Sequence, residues 1–62
     1  MITYWEYETV KFEANSIIKD IDKLRELLHR KGAERWELVS TFEINVGYGS
    51  TQEVVLIFKR PK

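Results

Sequence analysis

Cysteine is absent from the 62 residues, which removes disulfides and thiolate metal sites together. The omission matters in a chain this short. A domain of about 60 residues buries only about 60% of the surface that its unfolded form exposes. The usual supplements are disulfides, a metal or self-association. Excess charge of one sign is also missing, since ten basic residues balance ten acidic ones. No global field therefore draws the chain to nucleic acid or a membrane surface. No apolar run approaches the roughly 20 residues of a membrane span. The opening Met1-Ile2-Thr3-Tyr4-Trp5-Glu6 lacks the basic-then-apolar design of a secretory leader. A soluble cytoplasmic protein is expected, and the lack of cysteine fits a reducing compartment. Proline occurs once, at Pro61, and glycine three times. With no linker, repeat or low-complexity tract, residues 1–62 are expected to form a single domain.

Among the residues present, the most informative run is Glu53-Val54-Val55-Leu56-Ile57-Phe58-Lys59, apolar in both phases of a strand. Val54, Leu56 and Phe58 point one way, Val55 and Ile57 the other. Upstream, residues 3–12 read as a strand with Trp5, Tyr7 and Thr9 on one face. Tyr4, Val10 and Phe12 lie on the other, together with Glu6 and Glu8, whose end is expected to be wet. Asn15 or Ser16 is a candidate N-cap. From Ile17 the period changes: Ile17, Ile21, Leu24 and Leu28, flanked by Ile18 and Leu27, form a helical stripe. Asp20 and Asp22 lie early and His29, Arg30 and Lys31 late, matching the helix dipole. Gly32 is the expected stop. Trp36, Leu38, Ser40, Phe42, Ile44 and Val46 then alternate as one face of a second strand, and Gly47-Tyr48-Gly49-Ser50 reads as a hairpin loop.

The expected order is β-α-β-β, an α+β fold. A parallel pair of the first two strands across the helix is possible. The continuous apolarity of the last strand favours placing it centrally, antiparallel to both others. One helix then packs on one face of a three-stranded antiparallel sheet, with Leu24 and Leu28 opposite the face bearing Trp36, Leu38 and Phe42. The second apolar face is left for another copy of the chain, with Tyr7, Val55 and Ile57 as the expected oligomer interface.

Three segments carry a family resemblance. Tyr4-Trp5-Glu6-Tyr7-Glu8-Thr9-Val10-Lys11, Gly32-Ala33-Glu34-Arg35-Trp36-Glu37-Leu38-Val39 and Glu53-Val54-Val55-Leu56-Ile57-Phe58-Lys59-Arg60-Pro61 resemble DUF4177, a small bacterial and phage domain of unknown function. The resemblance covers nearly the whole chain and implies the fold, but it transfers no catalytic residue. At Arg35, ahead of the tryptophan, members of that family commonly carry glycine.

The chemistry-bearing residues are sparse. His29 is the single histidine, without cysteine or a nearby serine, and no metal-ligand spacing occurs. Asp20, Asp22 and Glu26 lie among Lys19, Lys23, Arg25 and Arg30, with Glu26 and Arg30 as an i,i+4 pair, and read as a solvated helix face. The glycine loop joins two strands, whereas phosphate loops lead into a helix. Catalysis, a metal and a cofactor are therefore not expected. One constellation does suggest binding. The expected topology gathers Tyr4, Trp5, Arg30, Lys31, Arg35, Trp36, Lys59, Arg60 and Lys62 at one strongly polarised pole. Basic groups beside aromatic rings suit a base and its phosphate. The expected ligand-binding residues are Trp5, Arg30, Arg35, Trp36, Tyr48, Lys59 and Arg60. The expected function is a non-catalytic homo-oligomeric binding module that sequesters a small anionic ligand such as a nucleotide. The alternatives are a protein-interaction or assembly module without a small ligand, and, third, nucleic-acid binding.

Overall fold

The computed structural model describes residues 2–14, 18–44 and 52–62. The element order is β1 (Trp5–Ala14), α1 (Ile21–Ala33), β2 (Glu37–Ile44) and β3 (Gln52–Pro61). The three strands form one antiparallel sheet in the order β1-β3-β2. This is the expected small α+β fold with β3 central. The central position suits β3, because a central strand has neighbours on both edges and its helix-side residues Leu56 and Phe58 are buried.

Opposed residues of an antiparallel pair point to the same side of the sheet. The register therefore puts Glu8, Val10, Phe12 and Ala14 of β1 with Phe58, Leu56, Val54 and Gln52 of β3. Helix α1 covers this face. Its half-buried residues Leu24, Leu27, Leu28 and Lys31 fall on one stripe, and the Lys31 ammonium donates to the Glu8 carboxylate at 2.9 Å. Beneath the helix, Leu56 is 2% and Phe58 1% exposed. With Ala14, they are the only buried apolar residues among those described.

Several local expectations are corrected. Strand β1 runs two residues later than residues 3–12 at each end. The helix starts at Ile21, not Ile17, with Asp20 as an N-cap that makes no side-chain cap bond. Ile18 is 85% exposed and Ile21 43%, so neither belongs to the buried stripe. Asn15, Ser16, Ile17, Val46 and the loop Gly47-Tyr48-Gly49-Ser50 lie outside the described residues. Among the described residues the local ion pairs along the helix are Lys23–Asp20, Arg25–Asp22 and, at its end, Lys31–Glu34, not Glu26–Arg30.

Gly32 does not stop the helix but lies inside it, and Arg35 takes the terminating role. The Trp36 N–H donates to the Lys31 carbonyl and the Arg35 N–H to the Gly32 carbonyl, both at 2.9 Å. That pair of bonds is a Schellman motif, which needs a left-handed residue just past the cap. Arg35 occupies that position with φ 69°, the only positive φ at a non-glycine residue among those described.

The largest correction concerns β2. Its register against β3 shifts between Leu38 and Ser40, so Val39 is the extra residue of a β-bulge. An insertion of one residue turns everything beyond it to the other face. Leu38 stays opposite Phe58 on the helix side, whereas Phe42 lies opposite Val55 on the far side. Unbroken alternation would have kept the two together.

Candidate functional site

Two regions collect the residues of interest: the pole where α1 ends, and the sheet face that α1 leaves bare. At the pole, antiparallel pairing sets Trp5 opposite Pro61 and Glu6 opposite Arg60, and the Lys62 N–H donates to the Tyr4 carbonyl at 2.9 Å. The Schellman turn delivers Trp36 to the same place. The Arg60 guanidinium stacks 4.1 Å from the Trp36 ring centroid. The Lys59 ammonium sits 4.2 Å over Trp5, on the opposite face of the sheet, because successive side chains of β3 alternate.

The expected basic pole is divided between the two faces of the sheet, with Lys59 and Trp5 on one and Arg60 and Trp36 on the other, and it is not strongly polarised. Glu6, Glu8, Glu34 and Glu37 share it. Arg60 donates from Nε to the Glu6 carboxylate and from Nη1 to the Glu34 carbonyl at 2.7 Å, so its guanidinium joins β3, β1 and the helix exit. Lys31, with a side chain 15% exposed, pairs with Glu8 at 2.9 Å and approaches Glu34 at 4.0 Å. Glu6 and Glu8 are thus half-buried clamp residues and not a wet strand end. Sequence reading missed the clamp because its partners lie 23 and 54 residues apart. Among the described residues, Arg30 and Arg35 form no ion pair, and Lys59 has only its contact with Trp5. Tyr48 lies outside the described residues.

Beyond the Trp5–Pro61 pair, the bare face carries four rows that cross all three strands. Tyr7, Lys59 and Glu37 form the first, then Thr9, Ile57 and Ser40, then Lys11, Val55 and Phe42, and last Glu13, Glu53 and Ile44. Tyr7 is 63% and Phe42 50% exposed, while Val55, Ile57 and Ile44 are half-buried. The bulge at Val39 makes this surface continuous, for it adds Phe42 and Ile44 to Tyr7, Val55 and Ile57. The one available signal in sequence was Val39 itself, an apolar residue out of phase with the strand. At the far end Lys11 bridges two carboxylates, Glu13 at 3.2 Å and Glu53 at 3.8 Å. The Glu13 hydrogen bond, then the charges of Glu53 and Glu13, hold the Lys11 ammonium above the ordinary lysine value.

A family model for a domain of unknown function, DUF4177, matches residues 5–61, from the first residue of β1 to the last of β3. The chain belongs to that family. No curated protein and no solved structure matches it. The DUF4177 domain thus supplies a boundary for the fold and no assigned activity, and the surface is left to carry the functional reading. Among the described residues of this DUF4177 chain, no helix is long and apolar enough to cross a membrane. No group of three histidine, aspartate or glutamate side chains gathers there as a metal site.

Proposed function

We propose that this DUF4177 domain is a non-catalytic homo-oligomeric module that self-associates through the bare sheet face. The supporting observation is the shortage of core set against the excess of surface. The chain exposes 5092 Å², whereas a compact monomer of its mass exposes about 4,200 Å². The difference, roughly 900 Å², is close to one partner's share of a standard interface, about 800 Å². The Cα radius of gyration, 13.5 Å, likewise exceeds the roughly 10.6 Å of a compact chain of this length.

The sheet edges are poor alternatives to the face. β1 carries Glu6, Glu8, Lys11 and Glu13, and β2 is interrupted by its bulge and flanked by Glu37 and Glu43. Charges and bulges of this kind block edge-to-edge pairing. Light scattering at micromolar concentration should return at least twice the 7.4 kDa protomer mass. Ile57→Lys, which puts an ammonium in the middle of the face, should reduce that mass to one protomer or unfold the chain. A wild-type protein of 7.4 kDa at every concentration refutes the proposal.

A second reading, capture of a small anion such as a nucleotide, is favoured by one observation. Arg30, Arg35 and Lys59 carry no carboxylate partner among the described residues, and Lys59 already lies on an indole. Arg60 is a weaker candidate than the sequence suggests, because its donors are engaged by Glu6 and Glu34. Calorimetry against mono-, di- and cyclic nucleotides tests this reading. Absence of heat at low and high salt leaves the assembly module alone.

A further inference from the structure

The charges on the bare face are unevenly placed, and their placement selects one way for two copies to meet. Lys59 stands in the first row between Tyr7 and Glu37 and forms no ion pair among the described residues, so that row is formally neutral. Glu13 and Glu53 stand directly opposite one another in the last row, with Lys11 of the third row as their shared cation. That end carries one more negative charge than positive. Lys59 and Glu53 belong to the same strand six residues apart, roughly 20 Å. This is about twice the Debye length at 0.1 M salt, so within one protomer they barely interact.

Two sheets packed face to face in the aligned class hold their strands within about 30° of each other, and that class leaves two simple positions for a two-fold axis. An axis running along the strands superposes equal rows. Lys59 then meets the partner's Lys59 and Glu53 meets the partner's Glu53, two like-charge contacts in an interface. An axis across the strands superposes the first row on the last. Lys59 then falls over the partner's Glu53, Tyr7 over the partner's Glu13, and Glu37 over the partner's Ile44. In the middle, Ile57 meets the partner's Val55 and Ser40 the partner's Phe42, so the apolar centre is retained.

Resting on the assembly reading above, we infer that this chain forms a two-fold dimer by stacking its bare sheet face on that of a second copy. In it the strands of the copies run antiparallel, and Lys59 pairs with the partner's Glu53 at both ends. The pairing sets the orientation, since like charges opposed across an interface disfavour the other arrangement. It also supplies Lys59 with an ion pair, where among the described residues of its own protomer Glu37 stands opposite it without forming one.

Sedimentation equilibrium on four samples tests the inference: wild type, Lys59→Glu, Glu53→Lys, and an equimolar mixture of the two variants. Each variant alone should dimerise roughly ten- to a hundredfold more weakly, because two attractive rim pairs become repulsive. The mixture should recover wild-type association, since a heterodimer restores both pairs with the charges exchanged. Circular dichroism checks that each variant is folded. Should Glu53→Lys fail to fold beside Lys11, Lys59→Gln serves instead. It weakens the antiparallel dimer, whereas it strengthens the alternative by relieving the Lys59 repulsion. A dimer indifferent to these changes, or one restored by mixing Lys59→Glu with wild type, overturns the inference and leaves self-association standing. A wild-type monomer at all concentrations overturns both.

Discussion

Replacing Arg35 by glycine should stabilise the protein, an uncommon direction for a single substitution. The backbone at residue 35 is left-handed, with φ 69°, because the Schellman bonds from Arg35 and Trp36 demand it. For a residue with a Cβ this conformation costs roughly 1–2 kcal/mol. Glycine removes that cost but adds about 0.5–1 kcal/mol of unfolded-chain freedom. Nothing else is lost, because the exposed Arg35 side chain makes no ion pair among the described residues. The net gain is about 0.5–1 kcal/mol, which for a domain of this size raises Tm by about 3–6 °C. With a urea slope near 1 kcal/mol/M, the midpoint should rise by about 0.5–1 M. Circular dichroism at a fixed protomer concentration is the assay, since association would otherwise shift the midpoint. Arg35→Ala is the control and should stay within about 0.5 kcal/mol of wild type, because alanine keeps the Cβ and its clash. A midpoint that falls in Arg35→Gly, or a gain equalled by Arg35→Ala, would show that the left-handed exit is not what limits stability there.

Gly32→Ala should also stabilise, by about 0.5–1 kcal/mol, since Gly32 lies within α1 and a Cβ there meets nothing within 4 Å; thermal melts of the single and double variants with Arg35→Gly check whether the gains add. Leu24→Ala should cost about 1–2 kcal/mol, below the 2–5 of a fully enclosed leucine, because Leu24 is only half-buried in the stripe over β3. Urea denaturation measures that loss, and a change under half a kcal/mol would mean that α1 contributes little to the core.

Some features were legible because they depend on residues close in sequence. Strand and helix period, the central placement of β3 and the bare face holding Val55 and Ile57 all follow from apolar spacing. The oppositely phased apolar residues of β3 are adjacent, so their conflict is visible without coordinates. Other expectations failed at the ends of the helix, where the local signals misplaced its limits. Gly32 offered the commonest helix stop, yet the chain continued to Ala33 and placed an arginine in the left-handed position. Ile18 and Ile21 have the right spacing for the stripe, but Ile18 precedes α1 and Ile21, its first residue, is 43% exposed.

By itself, the sequence determined that one helix and three strands would form, that β3 would lie at the centre, and that one apolar face would lack a cover within the protomer. Each is a matter of side-chain period, which neighbouring residues set. Only the tertiary structure decided which residues that face contains. The bulge at Val39 costs β2 one step of register against β3, and one step turns Phe42 from the helix side to the bare side. Likewise the basic cluster at the pole became a clamp and not an open cation patch. The sheet register brought Glu6 to Arg60, and the helix brought Lys31 to Glu8. No spacing along the chain encodes a carboxylate that arrives from another strand.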